Sequence, residues 1–197
     1  MPLEREIKLR FESPEEARAR VLAPGVGATM LRGRRLQEDC LLDTRDDQLF
    51  HRRCVLRVRS EGGKSLLTFK GPVQPGDMKV REEHETVVAD GDALLAILGE
   101  LGLHGWFRYE KYREEFAAED VVIAIDETPV GTFVEIEGGE DHIHRTAAAL
   151  GKGPADYITD SYRTLFMAYC REHGGSATDM LFELMGANAE AGTPVAE

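Results

Sequence analysis

Cysteine, long apolar runs and positive charge are all scarce in this chain. Its three cysteines, Cys40, Cys54 and Cys170, are scattered and include no Cys-x-x-Cys pair. That spacing points to neither a disulfide framework nor a zinc site, and they read as reduced, mostly buried small residues. No stretch approaches the roughly 18 consecutive apolar residues of a membrane-spanning helix. The opening Met-Pro-Leu-Glu-Arg-Glu has neither the apolar core of a secretory signal nor an Arg-rich transit character, so a cytoplasmic protein away from membranes is expected. Lys and Arg total 24 against 36 Asp and Glu, a net charge of −12, which argues against broad attraction to nucleic acid or anionic lipid.

The chain has 197 residues with 42% apolar content, enough for one domain with a core of ordinary size. From Glu172 onward there is no Lys or Arg, while Glu172, Asp179, Glu183, Glu190 and Glu197 are acidic. The expected division is a folded unit over 1–173 and an acidic, flexible tail over 174–197. The tail's apolar patch, Met180-Leu181-Phe182, is left as either disordered or a short docking helix.

What the chain has in quantity is charge at period two. In Leu3-Glu4-Arg5-Glu6-Ile7-Lys8-Leu9, extended backbone puts Glu4, Glu6 and Lys8 on one face. The alternation recurs in Leu56–Arg59, Leu67–Lys70, Val80–Glu85, Tyr109–Arg113 and Phe133–Glu137. A sheet built from such strands has one face crowded with both signs of charge and another that is largely aliphatic. With helices on the aliphatic face, the charged face would line a closed barrel, whose interior then requires water, metal or a highly charged ligand.

Between the strands, Ser13, Pro14 and Glu15-Glu16 mark a helix start and Ala23-Pro24-Gly25 its end. A long strand follows over about 28–43, then a polar loop, 44–48. Glu61-Gly62-Gly63-Lys64 reads as a tight hairpin. A helical run lies between Asp90 and Gly102, strands fit 106–117, 120–127 and 131–138, and helices fit 140–150 and 160–172. Runs of strands with segregated helices indicate an α+β fold with a largely antiparallel sheet.

The charged motifs, taken in order, resemble the CYTH superfamily, also called triphosphate tunnel metalloenzymes, whose members include class IV adenylyl cyclases, thiamine triphosphatases and inorganic triphosphatases. The resemblance rests on Glu4-x-Glu6-x-Lys8, Arg57-x-Arg59, Thr68-Phe69-Lys70-Gly71-Pro72, Arg81-x-Glu83-x-Glu85, Glu110-Lys111-Tyr112-Arg113, Ile125-Asp126-Glu127, Gly131–Glu137 and Ser161-Tyr162. It covers about residues 2–170. The segment Asp39-Cys40-Leu41-Leu42-Asp43-Thr44 departs from the aromatic-containing stretch of many members. What the resemblance implies is an eight-stranded antiparallel closed β-barrel, helices packed outside, holding a triphosphate between basic side chains and carboxylate-bound Mg2+ or Mn2+.

On that reading Lys8, Arg57, Arg59, Lys70, Arg81, Lys111 and Arg113 bind the substrate phosphates. Glu4, Glu6, Glu135 and Glu137 supply hard oxygen donors for metal, and Glu83, Glu85 and Asp126 complete that set or orient the bases. Glu4, Glu6, Lys111 and Arg113 are the candidate catalytic residues, and Arg35 is a candidate extra phosphate contact. The leading function is hydrolysis of inorganic triphosphate or a small organic triphosphate such as ATP or thiamine triphosphate. The alternative is an adenylyl cyclase making cyclic AMP and pyrophosphate from ATP, and a third is a non-catalytic nucleotide or polyphosphate binder. A homodimer is compatible with apolar outer strand faces, and no nucleic-acid or membrane partner is expected.

Overall fold

The first charged strand sets the architecture. In β1 (Leu3–Phe11), Ile7, Leu9 and Phe11 enter an apolar cluster on one side, while Glu4, Glu6 and Lys8 line a cavity on the other. The computed structural model describes residues 3–184. After β1 come α1 (Pro14–Val21), β2 (Thr29–Thr44), α2 (Gln48–His51), β3 (Val55–Glu61), β4 (Lys64–Lys70) and β5 (Lys79–Val88). Then follow α3 (Gly91–Glu100), β6 (Leu103–Ala118), β7 (Val121–Thr128), β8 (Gly131–Gly138), α4 (Glu140–Ala149) and α5 (Tyr162–His173).

Every strand pairs antiparallel with two neighbours, and the order β1-β5-β4-β3-β2-β6-β7-β8 closes on itself. The fold is therefore the expected α+β type, an eight-stranded antiparallel barrel with helices outside. Closure removes the exposed sheet edges and gives each strand an inside and an outside face. The β3–β4 turn has Gly62 and Gly63 at φ +54° and +77°, with Glu61 paired to Lys64. A two-residue turn with both φ positive matches the strand twist, and glycine adopts it without Cβ strain.

Ser13 caps α1, its Oγ accepting from the Glu16 amide at 3.1 Å. Ala17 and Val21 of α1 and Ile143 and Ala147 of α4 cover Ile7, Leu9, Ile123, Val134 and Ile136. This apolar core lies outside the barrel, so the interior is left to polar groups. A second cluster joins Phe107, Tyr109, Phe133, Tyr162, Phe166 and Met180, with α5 placed across one end of the tunnel.

Two segments go beyond the sequence reading. The polar loop leads into the short α2, which Asp43 anchors by accepting the amides of Leu49 and Phe50 at 2.8 Å each. Past α5, the chain returns along β6: the Met180 amide donates to Arg108 O, and the Glu110 amide donates to Met180 O, both at 2.9 Å. β7 pairs only with the Tyr112–Ala118 half of β6, so this segment docks beside the half that β7 does not cover. Residues 185–197 of the tail lie outside the described residues. None of the described helices is long and apolar enough to cross a membrane.

Candidate active site in the barrel interior

The period-two phase of each strand carries a charged side chain to the axis. A cavity of about 470 Å³ results, lined by Glu4, Glu6 and Lys8 of β1, Arg57 and Arg59 of β3, Lys70 of β4 and Arg81, Glu83 and Glu85 of β5. Lys111 and Arg113 of β6 and Glu135 and Glu137 of β8 complete the walls. All these sequence-predicted residues therefore share one tunnel; Asp126 is fully buried immediately behind its wall. Burying so many ions is tolerable only when opposite signs alternate, and they do.

One end of β1 gathers carboxylates. Lys70 Nζ lies 2.7 Å from both Glu4 Oε1 and Glu83 Oε2, Arg81 Nε donates to Glu4 at 3.1 Å, and Lys79 Nζ donates to Glu6 at 2.6 Å. Burial opposes ionisation of Glu6, but Lys8 and then Lys79 outweigh burial and the neighbouring Glu135 to hold its carboxyl far below the usual range. Burial pushes the Lys79 ammonium down to about 8, helped by Lys8. Glu137 closes this group from the rim. Partial burial, followed by the fields of Glu4, Glu6 and Glu83, pushes its carboxyl up to about 7, a shift that solvent at the rim screens.

The other predicted acids are placed differently. Asp126 accepts from Lys111 Nζ at 2.7 Å, Arg113 Nε at 2.6 Å and the Tyr162 hydroxyl at 2.6 Å. Glu135 pairs with Arg113 and, at 3.2 Å, with Lys8. Glu85 accepts from Thr68 at 2.8 Å and reaches Arg57 at 3.5 Å. Each of these three carboxylates contacts at least one base. Burial raises the cost of ionising Asp126, yet Arg113 and Lys111 hold it below the ordinary carboxylate value. Burial and Arg113 push Lys111 down to about 8.

Sequence reasoning missed Asp39, Lys79, Gln37, Glu61 and Tyr109 as interior groups. Asp39 is almost fully buried and accepts from Arg59 Nε at 2.8 Å; it also forms an ion pair with Arg57, whose Nε lies 3.3 Å away without hydrogen-bond geometry. Their phase was readable: Gln37 and Asp39 alternate along β2, and Lys79 precedes Arg81 by two. Arg35, expected as a phosphate contact, pairs with Glu61 at 2.6 Å and Glu115 at 2.7 Å at a tunnel mouth. Arg57 Nε is buried and makes no hydrogen bond among the described residues. A donor left unsatisfied inside a polar cavity suits an incoming anion.

Whether this interior suits a divalent cation can be judged from its donors. Glu4, Glu6, Glu83 and Glu137 are hard oxygen ligands, and their mutual repulsion on Glu137 is what a cation would relieve. Among the described residues no three His, Cys, Asp or Glu side chains form a ready-made metal cage. Instead, the Lys70 and Lys79 ammonium groups sit among these oxygens, where a metal would compete with them. The donor set fits a metal shared with a phosphate ligand rather than one held by protein alone.

The walls of this closed antiparallel barrel thus converge bases and acids on one polar cavity. The CYTH domain family model matches residues 2–162, and the chain belongs to that family. A protein of Methanocaldococcus jannaschii named "Putative adenylate cyclase" is 31% identical over 105 residues; the alignment spans 53% of this chain and 60% of the relative's own length. A Vibrio parahaemolyticus structure described as a "putative adenylate cyclase" superposes with TM-score 0.74 at 18% identity, covering 84% of this chain and 98% of that one. A Hippeastrum protein described as a "putative adenylyl cyclase" with a dominant triphosphatase activity superposes with TM-score 0.58 at 20% identity, covering 84% and 95%. Both structural likenesses establish the fold.

Proposed function

We propose that this protein binds the triphosphate group of a small molecule in its tunnel together with Mg2+ or Mn2+, and hydrolyses the terminal phosphoanhydride bond. The observation that carries this reading is the division of the interior: bases interleaved with acids along its length, and the four carboxylates Glu4, Glu6, Glu83 and Glu137 gathered at one end. Apart from Arg163, the lining bases already hold acids in the wall or just behind it. A polyanion therefore adds charge that these bases alone do not offset, and a divalent cation arriving with it restores the balance.

In this reading Arg57, Arg59, Lys8 and Lys70 hold phosphate oxygens, and Lys111 and Arg113, aimed by Asp126, stabilise the equatorial and leaving oxygens. A carboxylate of the Glu4 group orients the water that attacks the terminal phosphorus in line; the bond to the bridging oxygen breaks, releasing orthophosphate. The metal, bound by Glu4, Glu6, Glu83 and Glu137, would supply charge neutralisation on the phosphates. A second reading, favoured by the archaeal relative's name, is cyclisation: the ribose 3′-hydroxyl attacks the α-phosphorus and pyrophosphate leaves. Purified protein incubated with inorganic triphosphate, ATP or thiamine triphosphate, each with Mg2+ or Mn2+, separates them. Orthophosphate supports hydrolysis, cyclic AMP with pyrophosphate supports the cyclase, and tight binding without turnover defeats both.

A further inference from the structure

The end of the tunnel away from Glu4 and Glu6 is not charged in the same way. Along the β2–β6 pairing, Leu41 faces Phe107 but Leu42 faces Gly105, so Trp106 is the extra residue of a β-bulge. A bulge re-aims the side chain it carries. Here it turns the half-buried Trp106 into the cavity wall, beside Leu41, Phe50 and Val55. Gly105 makes the turn feasible, because a Cβ there would lie 2.8 Å from Cys40 Sγ.

Arg163, in the first turn of α5, lies over this indole with its guanidinium carbon 4.8 Å from the ring centroid. It also lines the cavity. The other bases of the lining each hold a carboxylate, whereas Arg163 pairs with none among the described residues. Its neighbour Tyr162 contacts Lys8 and Lys111 through its ring and packs edge-on against Phe133, which pairs with Arg10 near the far end of β1. The pair thus stands at the opposite end of the tunnel from the Glu4, Glu6 and Glu137 carboxylates.

An inorganic triphosphate would be satisfied by the charged walls and has no use for an apolar chamber with an indole and an unpaired planar cation. We propose that Trp106 and Arg163 form a head-group subsite, and that the substrate class is a nucleoside triphosphate whose base stacks on Trp106 while Arg163 reaches its ribose or nearest phosphate. The charge on Arg163 disfavours a cationic head such as a thiazolium. This inference rests on the triphosphate reading above and orients the substrate: with the base at the Trp106 end, the terminal phosphate points toward Glu4 and Glu6.

Trp106 is the only tryptophan of the chain, so its emission reports this subsite alone. The full chain with Mg2+ is titrated with β,γ-methylene ATP and, separately, with inorganic triphosphate, following Trp emission and melting temperature. The expected result is a saturable emission change with the nucleotide at least several-fold larger than with triphosphate. In steady-state assays, Arg163→Ala should raise KM for ATP on the order of 10-fold more than KM for inorganic triphosphate. Equal emission responses, or equal KM changes, overturn the subsite. If triphosphate raises the melting temperature but the nucleotide neither competes with it nor alters emission, the subsite is wrong and the tunnel stands. If neither ligand raises the melting temperature, the triphosphate reading itself falls and the subsite with it.

Discussion

The Tyr162 hydroxyl donates a 2.6 Å hydrogen bond to Oδ2 of Asp126, the same oxygen that accepts Lys111 Nζ at 2.7 Å. The first residue of α5 is thereby tied to the bases of β6 through one fully buried carboxylate. Asp126→Asn leaves Lys111 short of its counter-charge and should cost about 3–5 kcal/mol in denaturant unfolding. Tyr162→Phe removes one donor from a carboxylate that keeps two others, and should cost about 1–3 kcal/mol. If Asp126→Asn matches wild-type stability, the network does not hold these bases.

Turnover should depend on Glu135 more than stability does. In Glu135→Gln, Arg113 keeps Asp126 and Lys8 keeps Glu6, so the barrel should fold with an unchanged circular dichroism spectrum. Triphosphate turnover should fall on the order of 10²-fold, because the two bases lose the acid that sets them in register. Glu4→Gln should abolish turnover and weaken Mn2+ binding measured by paramagnetic relaxation. Wild-type activity in either variant would remove these acids from the mechanism.

The rim carboxylate sets a pH dependence. Glu137 titrates near 7 in the fold against an ordinary 4.5, so between those values the folded state binds the extra proton. Its contribution to stability is complete below about 4.5 and is lost as pH rises through 7. The melting temperature of metal-free protein should therefore decline across that window, and Glu137→Gln should flatten the decline. Mg2+ should raise the melting temperature more at pH 8 than at pH 5, since it binds the ionised carboxylates. An equal Mg2+ effect at both pH values contradicts the placement of Glu137 among the metal donors.

Met180 should matter to stability although it lies in the acidic tail. Its side chain is fully buried in the aromatic cluster with Phe107 and Phe166, and Asp179 holds Arg108 beside it at 3.0 Å. Met180→Ala should cost about 2–5 kcal/mol, read as a shift in the denaturant midpoint. A change under about 0.5 kcal/mol, the range of ordinary surface substitutions, would mean that the docked segment contributes little.

Much of this arrangement was legible because a strand has a strict two-residue phase. Glu4, Glu6 and Lys8 alternate with apolar residues that pack under α1 and α4, so which face turns inward follows from the sequence. The phase does not identify partners across the barrel. Asp39 and Arg59 are 20 residues apart and meet only through the β2–β3 register; Arg35 is brought to Glu61 by that register and to Glu115 by the β2–β6 register. Lys79 escaped because it begins its strand, where alternation has no preceding member. Trp106 lies in a bulge, where one inserted residue breaks the phase itself. The docking of Met180 depends on β7 being shorter than β6, a property of pairing lengths rather than of the tail's composition.

The central claim is that water attacks the terminal phosphorus of a triphosphate held in this tunnel. It is tested most directly by turnover of ATP with Mg2+ in ¹⁸O-enriched water, with mass analysis of the products. The account predicts ¹⁸O in the released orthophosphate and unlabelled ADP. Cyclic AMP with pyrophosphate, or label appearing in AMP, would contradict it.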